Sequence, residues 1–340
     1  MYGRMLAVGL VVLALLAGAC GSESQAEVSV LPRATPGATG VQEAATPTPA
    51  LPATATPVPS PTPPRRVLRT PVPVGSGCGM ARSAGDTVET VISGGSERSF
   101  RVHVPRSYVP RRAVPLVVNY HGYDRSAADQ ESYSGLVPVS EREGFILVSA
   151  EGAGSPQQWE VVDIYPDSTL ADVEFTDAMV AKLRGELCID GNRIFATGMS
   201  NGAEMAAQAG CLLPHVFAAV APVSGVVFQS CSGRAVPILA MHGTEDYNVP
   251  FDTARPAMAD WAQHNGCTGE IATEQVSEHV SRESYAGCGA NAVVLYVIEG
   301  GGHTWPGAED DAPHGGAGPT THEVSASELI WSFFAAHARK

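Results

Sequence analysis

The chain has 340 residues, a formal net charge of −14, and a composition that is 44% hydrophobic and only 16% charged. That length allows two domains. The acidity argues against nucleic acid or an anionic membrane surface as partner and favours an uncharged or weakly charged substrate.

The amino-terminal part is not built to fold. Arg4 precedes an apolar run, Met5 to Ala19, that ends at Cys20-Gly21-Ser22. The run is too short to span a bilayer and has the length of a signal h-region. Gly18-Ala19 before Cys20 resembles a bacterial lipoprotein processing site, with Ala17 where leucine is usual. Residues 1–20 are therefore expected to be a lipoprotein-type signal peptide with Cys20 lipidated, and ordinary secretion is the alternative. Residues 21–75 are dominated by Pro, Thr, Ala and Ser, as in Ala45 to Ala50 and Pro59 to Pro64. Such a segment buries no core and reads as an extended spacer of about 3.1 Å per residue. Contact with a membrane is expected only through the lipid on Cys20.

Residues 76–340 read as one α/β domain. Ser99 to Val104 alternates as an early antiparallel strand, and Leu116 to Tyr120 is a buried strand running into His121-Gly122. A helical stretch from Ala127 to Glu143 leads to the strand Phe145 to Ser149. Between Asp172 and Leu187 apolar residues recur at Phe175, Met179, Val180, Leu183 and Leu187, the period of a helix with one buried face. Phe217 to Val223, Val236 to Met241 and Val293 to Ile298 read as strands inside a covered sheet. Pro256 to His264 reads as a helix. The last helix, Ser325 to His337, buries Leu329, Ile330, Phe333 and Phe334. No internal repeat is visible.

Six cysteines follow Cys20: Cys78, Cys188, Cys211, Cys231, Cys267 and Cys288. An even number in an exported chain points to disulfides, and the absence of C-x-x-C pairs speaks against zinc. The short separations favour Cys267–Cys288 and Cys211–Cys231, which leaves Cys78 with Cys188.

The chemistry centres on Gly198-Met199-Ser200-Asn201-Gly202, between the strand that begins at Arg193 and an alanine-rich helix. A G-x-S-x-G turn projects its serine hydroxyl beside a helix N-terminus, so Ser200 is the candidate nucleophile and the Asn201 amide a candidate oxyanion donor. A serine hydroxyl needs a histidine to take its proton and a carboxylate to orient that histidine. The order Ser, acid, His from later strand ends is supplied by Asp246, after Ile238 to Met241, and by His303, in the Gly-rich loop after Val293 to Ile298. Glu245 is the rival to Asp246. His121 and His242 each open a His-Gly turn and read as loop stabilisers. The loop after His121 should supply the second oxyanion donor, the Tyr123 amide. The Tyr123 ring, Trp159 and Trp305 are candidate surfaces for an acyl group. His314 and His322 lie with Asp310 and Asp311 in an acidic loop whose spacing matches no metal pattern, so neither metal nor cofactor is expected.

With these residues assembled, the domain resembles the polyhydroxybutyrate-depolymerase-type esterases, relatives of bacterial feruloyl and acetyl xylan esterases. Leu116 to Gly122, Ala196 to Gly202, His242 to Asp246 with Val249-Pro250, Gly300 to Gly307 and Ala326 to Trp331 carry the resemblance. It implies an α/β-hydrolase fold with Ser200 as nucleophile, His303 as base and Asp246 as orienting acid. Two stretches depart from the family pattern. Tyr123-Asp124-Arg125 stands where relatives are often glycine-rich, and Ala203-Glu204 where many have Gly-Met. The implied activity is an exported or lipid-anchored serine esterase acting on hydroxyalkanoate esters through an acyl-enzyme. Feruloyl or acetyl groups on plant polysaccharide are the alternative substrates, and a non-catalytic binding lipoprotein is the alternative of another class.

Overall fold

The computed structural model describes residues 75–162, 168–229, 231, 233–309 and 317–339. The expected signal peptide, Cys20 and all of the expected linker except Gly75 lie outside the described residues.

Among the described residues ten strands form one sheet: β1 (Gly85–Ser93), β2 (Ser96–Val104), β3 (Val114–Tyr120), β4 (Ile146–Ala150), β5 (Ile189–Met199), β6 (Ala219–Val223), β7 (Ile238–Gly243), β8 (Ile271–Gln275), β9 (Val280–Tyr285) and β10 (Val293–Ile298). Their spatial order is β1-β2-β4-β3-β5-β6-β7-β10-β9-β8. The six strands from β4 to β10 in that order run parallel, and an antiparallel pair closes each edge. Every residue of β3, β4, β6 and β7 is buried, as in a parallel sheet covered on both faces.

The covering helices are α1 (Ala127–Ser134), α2 (Leu136–Glu143), α3 (Ala171–Glu186), α4 (Asn201–Leu212), α5 (Ala254–His264) and α6 (Ala326–Ala336). Side chains alternate across each strand. Leu116, Val118 and Tyr120 of β3 therefore join the core under α3, α4 and α5, while Val117 joins the core under α1, α2 and α6. On the second face Phe334 stacks on Phe195 with ring centroids 4.6 Å apart.

The sequence predicts one helix over Ala127 to Glu143, but the structure has two. Gly135 sits at φ 62° between them, and that left-handed residue ends α1. Three strands carry no clear sequence signal. β1 is an edge strand, and β8 with β9 forms a hairpin inside the polar segment between Cys267 and Cys288. Among the described residues the disulfides are Cys78–Cys188, Cys211–Cys231 and Cys267–Cys288, the pairs that the spacing favours. Among the described residues no helix is long and apolar enough to cross a membrane.

The chain crosses between the two halves of the sheet at β3 and β5. β4 lies on one side of β3 and β5 on the other, so the loops after these strands diverge and leave a crevice at their carboxyl ends.

Candidate active site

Ser200 lies in that crevice, between β5 and α4. It holds φ 57° and ψ −127°, a left-handed conformation that a side chain rarely adopts and that costs roughly 1–3 kcal/mol. The strain sits on the serine and not on its glycines. A Cβ on Gly198 would meet Gly202 O at 2.4 Å, and one on Gly202 would meet Tyr120 O at 2.3 Å. The glycines thus let α4 start against β3 and β5. Ser200 N donates to Val223 O of β6 at 3.0 Å, which pins the turn. Because α4 begins at Asn201, the Asn201 amide is among those with no acceptor within the helix.

The loop after β7 carries Asp246, 4% exposed. Its Oδ1 accepts from Asn248 N at 3.0 Å and Val249 N at 2.8 Å. Its Oδ2 is 2.7 Å from His303 Nδ1 and 3.3 Å from His242 Nε2. Burial pushes this carboxyl up, but the hydrogen bonds from His242, His303 and Val249 N outweigh burial and hold it well below the usual carboxylate range. The carboxylate that meets His303 is thus Asp246, and the neighbouring Glu245 is exposed.

His303 follows β10. Its backbone pairs with Ala317 through His303 N to Ala317 O at 2.7 Å and the reverse bond at 2.8 Å. Ser224 Oγ donates to Thr304 O at 3.1 Å, and Trp305 N to Tyr133 Oη at 3.1 Å, so the loop is fixed from β6 and from α1. With Nδ1 engaged by Asp246, Nε2 is the ring nitrogen left for proton transfer.

Ser200 and His303 line one cleft of about 380 Å³, together with Tyr123, Arg125, Gln130 and Tyr133. The His121-Gly122 turn forms its back wall. His121 Nε2 accepts from Gly152 N at 2.8 Å, so Nδ1 carries the proton and donates to Gly122 O at 2.7 Å. Burial pushes the ring's pKa down, in keeping with a neutral imidazole that braces the loop.

Tyr123 is 52% exposed at the cleft, whereas Trp159 and Trp305 are 0% and 1% exposed. The two indoles are therefore not the acyl surface that the sequence suggests. Each spans a core and satisfies its N–H there. Trp159 Nε1 donates to His121 O at 2.8 Å, and Trp305 Nε1 to Ser327 Oγ at 3.1 Å. The Trp159 backbone also clamps the Asn201 side chain, with N to Oδ1 at 2.7 Å and Nδ2 to O at 3.1 Å. Both residues shape the site from behind.

Sequence reasoning missed Arg125, Asp129, Gln130 and Tyr133 as cleft residues. Their signal was positional: α1 begins four residues after Tyr123, and residues 130 and 133 fall on the same face of its first two turns. Among the described residues no group of His, Cys, Asp and Glu could hold a metal ion. Asp310, Asp311 and His314 lie outside the described residues.

The profile of the family described as Esterase PHB depolymerase matches residues 99–249, a stretch that includes Ser200 and Asp246 and stops before His303. Feruloyl esterase B of Piromyces equi is 33% identical over 243 residues, covering 64% of this chain and 44% of that one. Feruloyl esterase D of Neurospora crassa is 28% identical over 277 residues, covering 76% and 89%. Over the matched stretch the chain is similar to this esterase family, the polyhydroxybutyrate-depolymerase type. Its members are carboxylic ester hydrolases of the α/β-hydrolase superfamily. The chain spans less than half the length of the Piromyces relative. An acetyl xylan esterase from Aspergillus awamori shares the fold, with a TM-score of 0.59 at 16% identity over 74% of this chain and 99% of that one. The family match and the crevice thus converge on the carboxyl ends of β3, β5 and β7.

Proposed function

We propose that the protein is an exported serine esterase in which Ser200, His303 and Asp246 form the catalytic triad. The observation that carries this reading is the 2.7 Å contact between His303 Nδ1 and Asp246 Oδ2, in the wall of the cleft that also holds Ser200. Ser200 Oγ attacks the ester carbonyl carbon while His303 Nε2 takes its proton. The Asn201 and Tyr123 amides hold the resulting oxyanion. The tetrahedral adduct collapses, the alcohol leaves with the proton from His303, and an acyl-enzyme remains. Water then attacks, His303 again acting as base, and Ser200 is regenerated. Asp246 keeps the imidazole in the Nδ1–H tautomer and stabilises the imidazolium. No step calls for a metal or cofactor.

The relatives named feruloyl esterases favour a feruloyl ester on polysaccharide as substrate. The family description favours a second reading, a hydroxyalkanoate ester. Three disulfides support an oxidising compartment outside the cytosol. Retention there by a lipid on Cys20 is part of the same proposal, and Cys20→Ser should release the protein from membranes into the soluble fraction.

A fluorophosphonate probe should label the wild-type protein and not Ser200→Ala. An unlabelled wild type would favour the non-catalytic binding lipoprotein. A panel of methyl ferulate, p-nitrophenyl acetate and a hydroxybutyrate oligomer then separates the substrates. The expected order of kcat/KM puts methyl ferulate above the oligomer, and the reverse order would install the second reading.

A further inference from the structure

Beside the cleft, and sharing Val249 with it, lies a second cavity of about 380 Å³ that none of the catalytic steps above uses. Its walls are apolar at Val226, Phe228, Val249 and Ala257. Its two inner polar groups are both poised to accept a hydrogen bond.

The first is Glu204, in the opening turn of α4 four residues after Ser200. Its Oε2 accepts from Asn201 Nδ2 at 3.1 Å, and among the described residues no cation pairs with it. The second is Gln229, 6% exposed. Gln208 Oε1 accepts from Val162 N at 2.8 Å, and Gln229 Nε2 donates to both Val162 O at 2.7 Å and Gln208 Oε1 at 3.0 Å. That network fixes which end of the Gln229 amide is oxygen. Gln229 Oε1 is left buried with no partner among the described residues. A buried acceptor without a donor is costly, and a ligand that supplies the donor recovers the loss. Thr253 and Asp260 complete the polar lining, both exposed, and among the described residues no Lys, Arg or His lines the cavity.

We propose that this cavity is a specificity subsite for an uncharged hydroxyaryl group of the substrate, whose ring packs on Phe228 and the valines while its single O–H proton is shared between Glu204 and Gln229 Oε1. The size suits one aryl ring. With no cation among the described lining residues, the cavity disfavours a carboxylate, and its two acceptors pass over a methyl ether, which cannot donate. The inference rests on the serine-esterase reading and deepens it. It also gives a use to Glu204, one of the residues that depart from the family pattern.

The test measures kcat and KM for two ester pairs that differ only in a phenol against its methyl ether. They are methyl 3-(4-hydroxyphenyl)propanoate with its 4-methoxy analogue, and 2-(4-hydroxyphenyl)ethyl acetate with its 4-methoxy analogue. The wild type should favour the phenol of at least one pair by about tenfold, chiefly in KM, because a site built around a hydroxyl penalises the analogue lacking it. Glu204→Met and Gln229→Leu should each bring that ratio near unity. Glu204→Gln, which keeps an acceptor oxygen, should retain most of the preference. Equal rates for both members of both pairs in the wild type, or a ratio untouched by Glu204→Met, would overturn the proposal. Equilibrium binding of 4-ethylphenol and 4-ethylanisole to Ser200→Ala needs no turnover and separates this failure from failure of the esterase reading. Phenol-selective binding lost in Glu204→Met supports the subsite even without hydrolysis, and equal binding of both probes sinks it.

Discussion

The middle of the sheet and its β8 edge are built on opposite terms. β3, β4, β6 and β7 are buried at every position, whereas β8 is exposed at every position and bonded on one side only. The loops that carry Ser200, Asp246 and His303 all leave the parallel middle, so the proposed triad sits on strands that cannot shift without opening a core. The β8–β9 hairpin has no such core of its own and is closed at its base by Cys267–Cys288. Damage in the middle should therefore appear in turnover, and damage at the edge in stability.

The largest expected effect is that of Ser200→Ala, which should lower kcat for a short p-nitrophenyl ester by about 10⁵–10⁶-fold with an unchanged circular dichroism spectrum, since nucleophile and base act as one unit. Turnover within a few-fold of wild type would remove the nucleophile assignment. Asp246→Asn should lower kcat by about 10⁴-fold through the wrong imidazole tautomer, while Glu245→Gln changes it little. The same Asp246 substitution has a stability signature. Asp246 is held below its usual value of 3.8 in the folded state, so its contribution is fully present above that pH and is lost progressively as pH falls from there toward the lowered folded-state value. The difference in melting temperature between wild type and Asp246→Asn should accordingly narrow from pH 7 to pH 3.

Gly202→Ala tests the packing of the middle directly. Its methyl group would meet Tyr120 O at 2.3 Å, an overlap expected to destabilise by about 1–3 kcal/mol and to reduce kcat by displacing Ser200. At the edge, Cys267→Ser with Cys288→Ser opens a loop with a sequence separation of 21. That change should lower stability by about 3 kcal/mol in a denaturant melt while altering kcat only modestly at low temperature. The smallest effect belongs to the exposed face of β8, where Thr273→Ala should stay within about 0.5 kcal/mol of wild type. A catalytic defect larger than the stability defect in the cysteine pair would show that the edge is coupled to the His303 loop.

The same contrast decides what could be read from the sequence. Buried parallel strands are continuous apolar runs, so Leu116 to Tyr120 and Val293 to Ile298 were legible along with the loops that follow them. β8 buries nothing and looks polar throughout, hence the segment after Cys267 showed no strand. Gly135 splits a helix at a residue whose handedness depends on tertiary fit. Trp159 and Trp305 were misplaced because an indole near a site motif reads alike whether it faces the substrate or backs the wall. What separates the two is an acceptor distant in sequence, His121 O for one and Ser327 Oγ for the other. Gln229 carries no motif at all, and only the folded contact with Gln208 and Val162 gives its oxygen a direction.

The Cys78–Cys188 bridge has a mechanical consequence. Cys188 immediately precedes β5, and Gly75 N donates to Ile189 O at 3.3 Å beside it. A pull arriving through the residues that precede Gly75 therefore enters the domain at the base of its central strand. It does not enter at β1, where an edge strand would peel away one bond at a time. A force directed along β5 from its base would load the parallel ladders with β3 and β6 in shear, so that many bonds resist together. Ser200 lies at the far end of that strand, and under the proposed anchoring through Cys20 it would be the part of β5 least strained by drag on the domain.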